Sequence, residues 1–160
     1  MKIDTTEGQD ERELRLERDI DVPAAKLFRA WTEPELLVRW FTPPPYVTVR
    51  AELDVRPGGM NFVVMRGPDG SEMEHRGVYL EVVPGRRLVF SDAYSGDWEP
   101  SGKPFMTVVL TFDDLGGGRT RYLASVRHWT VADREAHEAM GFHEGWGVAT
   151  DQLAAVASKL

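Results

Sequence analysis

The stretch VPAAKLFRAWTEPELLVRWFTPPP, residues 22–45, decides more about the fold than any other part of the chain. Pro23 suits the first position of a helix, because its missing N–H has no helical partner there in any case. Thr32-Glu33-Pro34 begins a second short helix in the same way. The three prolines at 43–45 end this helical part, since none of them can continue a helix.

Strand patterns lie on both sides of these two helices. Apolar residues alternate with polar ones over residues 14–22, which predicts a first strand. Short alternating segments then fill residues 47–128, and turn sequences such as Asp69-Gly70 and the glycines 116–118 separate them. Strands that follow one another with tight turns predict an antiparallel meander, because parallel pairing needs long crossovers.

The last thirty or so residues predict a long helix. Thr130 and Asp133 have the spacing of a capping box, with Asp in place of the usual Glu. An apolar stripe follows at Phe142, Trp146, Ala149, Leu153, Val156 and Leu160. The fold class is therefore α+β, with a curved antiparallel sheet of about seven strands around a long C-terminal helix and two short helices after the first strand.

Composition narrows the class of protein. The 160 residues fit one domain, and residues 1–10 are predicted to form a flexible tail. A net charge of −7 without a basic cluster disfavours binding to nucleic acid or to an anionic membrane surface. The chain has no cysteine, no signal-peptide pattern and no apolar run near the roughly 18 residues that span a membrane. We therefore expect a cytoplasmic protein.

Several segments carry a resemblance to a known family. They are residues 22–41, 54–59, 76–84, 88–91 and 110–112, and the late pair Gly145-Trp146. In content and order they resemble the activator-of-heat-shock-ATPase homologue family, which belongs to the START and birch-pollen-allergen-like (SRPBCC, polyketide cyclase-like) helix-grip superfamily. The resemblance implies one helix-grip domain over residues 11–160. It does not extend to the additional N-terminal domain with which the eukaryotic activator engages its chaperone, so ATPase activation is not expected.

The four histidines do not predict a metal site. His137 and His143 each begin a sequence like the zinc-protease motif, but glycine stands where the second histidine is required. The two residues are six apart, and their side chains point about 120° away from each other on a helix. His75 and His128 lie on separate predicted strands. We therefore expect solvated or hydrogen-bonded histidines, no cofactor and no assigned catalytic residue.

The space between the sheet and the C-terminal helix is the candidate ligand site. Arg66, Arg76 and Asp92 alternate along their strands with apolar residues and are predicted to lie on the same face. They could pair with one another, orient a polar group of a ligand, or reach solvent from strand ends. Trp98 lies in a Gly/Ser/Pro loop and is predicted as a lid. The predicted ligand-binding residues are Phe62, Val64, Arg66, Arg76, Val78, Leu80, Phe90, Asp92, Tyr94, Trp98, Met106, Val108, Leu110, Phe142 and Trp146.

The sequence leaves three functions open. We expect binding of an apolar or amphipathic small molecule without defined catalysis. The alternatives are a cyclase- or isomerase-type enzyme that uses Asp92 or a histidine as general base, and a module that docks on another protein. A protein partner and a homodimer stay open. Gly141, Gly145 and Gly147 in the predicted helix are also unexplained: they allow close packing, a helix break or room for a ligand.

Overall fold

The computed structural model describes residues 10–160, so the tail predicted for residues 1–10 lies outside the described part of the chain apart from Asp10. The predicted order of helices and strands is confirmed. The elements are β1 (Glu13–Ile20), α1 (Ala24–Thr32), α2 (Pro34–Leu37), β2 (Val47–Leu53), β3 (Met60–Arg66), β4 (Glu72–Val83), β5 (Arg87–Ser91), β6 (Met106–Gly116), β7 (Arg119–His128), α3 (Val131–Ala139) and α4 (Phe142–Ala157).

The strands form one seven-stranded sheet in the order β1-β7-β6-β5-β4-β3-β2. Every neighbouring pair is antiparallel, which confirms the predicted meander and the α+β class. The last strand, β7, pairs with the first strand, β1. The two edges of the sheet are therefore β1 and β2. No helix within residues 10–160 is long and apolar enough to cross a membrane.

The C-terminal helical tract is divided into two helices, where the sequence predicted one. Thr130 caps α3 as predicted, because its side chain accepts a hydrogen bond of 3.0 Å from the backbone N–H of Asp133. Gly141 has a φ of 96°, a left-handed conformation that ends one helix before the next begins. This glycine therefore serves a helix break, and only α4 packs along the sheet as the long helix.

The register of β3 decides which side chains reach the space beneath α4. Val63 pairs with His75 and Asn61 pairs with Gly77, and these residues face α4. Phe62 and Val64, which flank Val63 on the strand, face the opposite side of the sheet. The sequence predicted both of them on the inner side. The run Phe62-Val63-Val64 is apolar on both faces, so alternation alone does not select the inner one.

Trp31 joins the two short helices to the sheet. Its ring is 96% buried and lies 4.7 Å from the ring of Trp40, 5.9 Å from that of Phe41 and 5.7 Å from that of Phe90. Its indole N–H donates a 3.2 Å hydrogen bond to the hydroxyl of Tyr122 on β7. One side chain thus contacts two strands and the segment that follows α2.

Gln152 fastens α4 to that same segment. Its side-chain amide donates hydrogen bonds to the carbonyl oxygens of Trp40 at 2.8 Å and of Thr42 at 2.9 Å. These carbonyls follow α2 and have no strand partner in the sheet ladder, so the amide satisfies them. The long helix is therefore fixed to the segment that follows α2.

We expect Trp31→Phe to lower the free energy of unfolding by about 2–3 kcal/mol, because it removes buried volume and leaves the Tyr122 hydroxyl without its donor. Denaturant unfolding measures the change. Trp129→Phe is the control, since Trp129 is 49% exposed and its replacement should cost no more than about 0.5 kcal/mol. Equal losses in the two variants would contradict the role given to Trp31.

Candidate functional site

A cavity of about 310 Å³ lies between the sheet and α4. Its deep part is formed by apolar and aromatic side chains from the two short helices, from the segment that follows α2 and from strands β3, β5, β6 and β7, all buried except Phe90, which is partly buried. They are Trp31, Leu37, Trp40, Val63, Phe90, Val108 and Tyr122. α4 closes the other side with Phe142, Trp146 and Ala149. The volume lies at the lower end of the range for small-molecule sites.

The cavity opens between β4 and the junction of α3 with α4. The lining residues that solvent reaches most are His75 and Arg76 on β4 and Met140 and Gly141 at the junction. Met140 is 73% exposed although it is apolar and lines the cavity. A ligand that enters here meets polar groups at the opening and aromatic rings at the bottom.

Gly145 lines the cavity from the first turns of α4. A Cβ atom at this position would meet no atom within 4 Å apart from its own helix and its neighbours in the chain. A helical glycine costs about 1 kcal/mol relative to alanine, and here packing does not require it. Of the three explanations for the glycines, room in the cavity is the one that fits Gly145.

The structure brings together part of the predicted site and leaves the rest outside it. Seven predicted residues line the cavity: Arg76, Phe90, Asp92, Met106, Val108, Phe142 and Trp146. Eight do not: Phe62, Val64, Arg66, Val78, Leu80, Tyr94, Trp98 and Leu110. The described lining also includes residues that the sequence did not single out, among them Trp31, Trp40, Val63, His75 and His137.

Two local features explain part of the residues that fall outside. On β3 the inner face carries Val63 in place of Phe62 and Val64, as the register requires. On β4 a bulge between Tyr79 and Glu81 shifts the register at Leu80 and interrupts the alternation there. Such a bulge has no sequence signal here that alternation analysis can detect.

Trp98, the predicted lid, lies away from the cavity. Its indole packs on Gly58 in the turn between β2 and β3 and makes an edge contact with Tyr94 at 5.4 Å. It remains 54% exposed. The loop therefore covers one end of the sheet and not the cavity opening.

Positive charge is directed away from the cavity. The guanidinium of Arg76 lies 4.3 Å from the centre of the Phe62 ring, on the outer face of the sheet. Arg66 pairs with Glu72 at 2.8 Å, and both side chains are about half exposed. Among residues 10–160, Arg76 is the only lysine or arginine in the lining. Neither arginine is placed to hold an anionic group inside the cavity.

Asp92 lines the cavity just beyond the end of β5. Its Oδ1 accepts backbone N–H groups from Phe105 at 2.8 Å and from Met106 at 3.1 Å. These bonds fix the carboxylate on the segment that leads into β6. Asp92 therefore adds an acceptor to the cavity lining, and its role in binding a polar group of a ligand stays a prediction.

A pair of buried histidines stands at the same end of the cavity. Nε2 of His128, at the end of β7, lies 2.8 Å from Nδ1 of His137 on α3. The other nitrogen of His128, Nδ1, lies 2.8 Å from the backbone carbonyl of Arg12. The ring of Phe105 packs against both imidazoles, with ring centres 5.3 Å apart in each case.

These contacts determine where the protons of the neutral pair reside. A carbonyl oxygen only accepts, so Nδ1 of His128 carries the proton and its Nε2 holds a lone pair. Nδ1 of His137 must then donate to that lone pair. Nε2 of His137 is left as an acceptor, and no group within residues 10–160 bonds to it. His137 itself lines the cavity.

The environment keeps both imidazoles neutral near pH 7. Burial lowers the pKa of His137 from 6.5 to about 4, and the neighbouring His128 and His75 contribute in the same direction. Burial also lowers the pKa of His128, against the opposing effect of the Arg12 carbonyl. His75 at the opening has a pKa lowered by partial burial, with Asp92 acting in the opposite direction. The proton arrangement above therefore holds in the physiological range.

An antiparallel sheet that grips a long C-terminal helix, with a cavity between them, is the helix-grip architecture. The chain belongs to the Activator of Hsp90 ATPase homolog 1-like family, whose model matches residues 21–158. This confirms the resemblance drawn from the sequence.

Solved structures agree with that assignment. A protein from Nitrosomonas europaea is 38% identical, with a TM-score of 0.90 over 94% of this chain and 97% of that one. A protein from Mycobacterium smegmatis is 25% identical, with a TM-score of 0.77 over 97% of this chain and 93% of that one. The AHSA1 protein from Silicibacter pomeroyi is 25% identical, with a TM-score of 0.69 over 89% of this chain and 95% of that one. No curated protein matches the chain.

The lowered histidine pKa values predict that acid destabilises the protein before its carboxylates titrate. Between pH 6.5 and about 4 the unfolded chain binds a proton that folded His137 does not, so the free energy of unfolding falls as pH is lowered through this window. We expect His137→Phe to remove about 1–2 kcal/mol of that fall. Unfolding curves at pH 7.5 and pH 5 measure it, and parallel losses in wild type and variant would contradict the assignment.

Proposed function

We propose that this protein binds an apolar or amphipathic small molecule in the cavity between its sheet and α4. The observation that carries the proposal is the cavity itself: about 310 Å³ of space lined mainly by aromatic and aliphatic side chains. A domain of this size normally packs its interior to the density of an organic crystal. Space of this extent beneath a helix is therefore better explained by an occupant than by poor packing.

Local sequence choices support the same conclusion. Gly145 faces the cavity although alanine would favour the helix and would fit. Gln152 fixes the position of α4 through two hydrogen bonds to the backbone after α2. The glycine leaves space at a cost in helix stability, and the glutamine fixes the helix that borders this space.

The open interior also bears on the docking alternative. A module that acts only through its outer surface needs no internal space, and its core is expected to be filled. Here the outer face of the sheet is covered by charged residues in pairs, such as Arg66 with Glu72 and Arg87 with Glu81. These features favour ligand binding over docking through the sheet surface. A cytoplasmic location stays a prediction.

Binding is tested with N-phenyl-1-naphthylamine, a neutral probe that fluoresces in apolar surroundings. We expect saturable binding to the wild-type protein and to Gly145→Ala, which adds one methyl group to open space. Gly145→Phe should lower the affinity at least tenfold, because the ring occupies the cavity. Gly102→Phe is the surface control, since a Cβ at this position also meets nothing within 4 Å and Gly102 is exposed outside the lining.

Equal affinities in all four proteins would place the probe elsewhere and contradict the proposal, as would the absence of saturable binding. Circular dichroism on each variant separates lost binding from lost folding. Native mass spectrometry of the protein purified from its own host would then reveal any molecule that it retains.

A further inference from the structure

The geometry points to a ligand class for the cavity: an uncharged aromatic molecule whose hydroxyl or N–H group donates a hydrogen bond to Nε2 of His137. This inference rests on the proposed function, and it specifies what the cavity selects. His128 acts as a positioning residue, because it bonds to the imidazole of His137 and does not itself line the cavity.

The hydrogen bonds from the Arg12 carbonyl through His128 to His137 run in one direction. The Arg12 carbonyl accepts from His128, and Nε2 of His128 accepts from Nδ1 of His137. A backbone carbonyl cannot reverse its role, so the neutral pair has one proton arrangement. Nε2 of His137 is consequently an acceptor without a partner among residues 10–160, on a side chain that is 91% buried and lines the cavity.

The charged residues around the polar end of the cavity favour an uncharged group of the ligand. Asp92 supplies a carboxylate to the same lining, while the guanidinium of Arg76 lies over Phe62 on the outer face. A carboxylate or phosphate group of a ligand would meet a lone pair and a negative charge, with no cationic group from residues 10–160 directed into the cavity. A charged ammonium group would lose its hydration on entering an apolar space. A neutral donor has neither disadvantage.

The rest of the lining near His137 consists largely of aromatic rings. The rings of Phe142 and Trp146 lie 5.1 Å apart and pack near His137, with ring centres 5.2 Å and 6.3 Å from the imidazole. Trp31 and Phe90 line the deeper part. Aromatic ligands gain edge and offset contacts from such walls beyond their burial. A flat ring system with its donor near the opening therefore fits both ends of the cavity.

The test compares 2-naphthol with 2-methylnaphthalene, which has a methyl group in place of the hydroxyl. The measured quantity is the ratio of their dissociation constants in each protein. We expect His137→Phe to shift this ratio about three- to tenfold against naphthol, the effect of one neutral hydrogen bond. His143→Phe is the matched control, because His143 lies on α4, bonds to Glu138 and is outside the described lining.

The outcomes separate the two proposals. If both probes bind and His137→Phe leaves their ratio unchanged, the donor inference is overturned while ligand binding stands. If His143→Phe shifts the ratio as much as His137→Phe does, the inference is likewise overturned. If neither these probes nor N-phenyl-1-naphthylamine binds the wild-type protein, the proposed function fails and the inference fails with it.

A spectroscopic measurement on the wild-type protein does not depend on a variant that folds. Nitrogen-15 NMR of the histidine side chains at pH 7.5 should show His137 protonated at Nδ1 and unprotonated at Nε2. 2-Naphthol should shift the Nε2 resonance, and 2-methylnaphthalene should leave it nearly unchanged. In His128→Phe the protonation preference of His137 should be lost, which a purely structural role of His128 does not require. A proton on Nε2 in the wild-type protein would overturn the inference.

Discussion

The hydrogen bond between Trp31 and Tyr122 is the contact on which the site depends most. It ties α1 to β7 across the interior, and the same indole packs against Trp40 and Phe90. A tryptophan combines a large apolar surface with one donor that needs a partner when buried. Because that donor finds Tyr122, the ring is fixed in orientation and forms the bottom of the cavity instead of filling it.

Once this bottom is fixed, the position of α4 determines whether space remains above it. Gln152 holds the helix through the backbone that follows α2, so the two short helices and the long helix form one frame. Gly141 lets the chain turn between α3 and α4, and this turn forms part of the opening. The cavity is thus a consequence of how the helices are attached to one another and to the sheet.

The two faces of the sheet differ in chemistry as well as in shape. Arginines on the outer face pair with acidic neighbours or lie over Phe62. The inner face carries neutral rings and acceptors around the cavity, and its one described buried arginine, Arg18, pairs with Asp151 of α4 at 2.6 Å. A charge is stabilised by solvent on the outer face, whereas on the inner face it needs a partner to offset desolvation. The donor selectivity that we propose for the polar end of the cavity rests on this difference.

The sequence by itself determined the order of the elements, the two short helices, the turns and the cap at Thr130, because prolines, glycines and capping residues act over a few positions. It also determined the family. Tertiary structure alone decided which face of Phe62-Val63-Val64 points inward, since both faces are apolar and only pairing with β4 selects one. It alone brought His128 and His137 within 2.8 Å, because a strand end and a following helix meet only through packing. Local chemistry places elements along the chain, whereas a site between them requires the contacts of the folded protein.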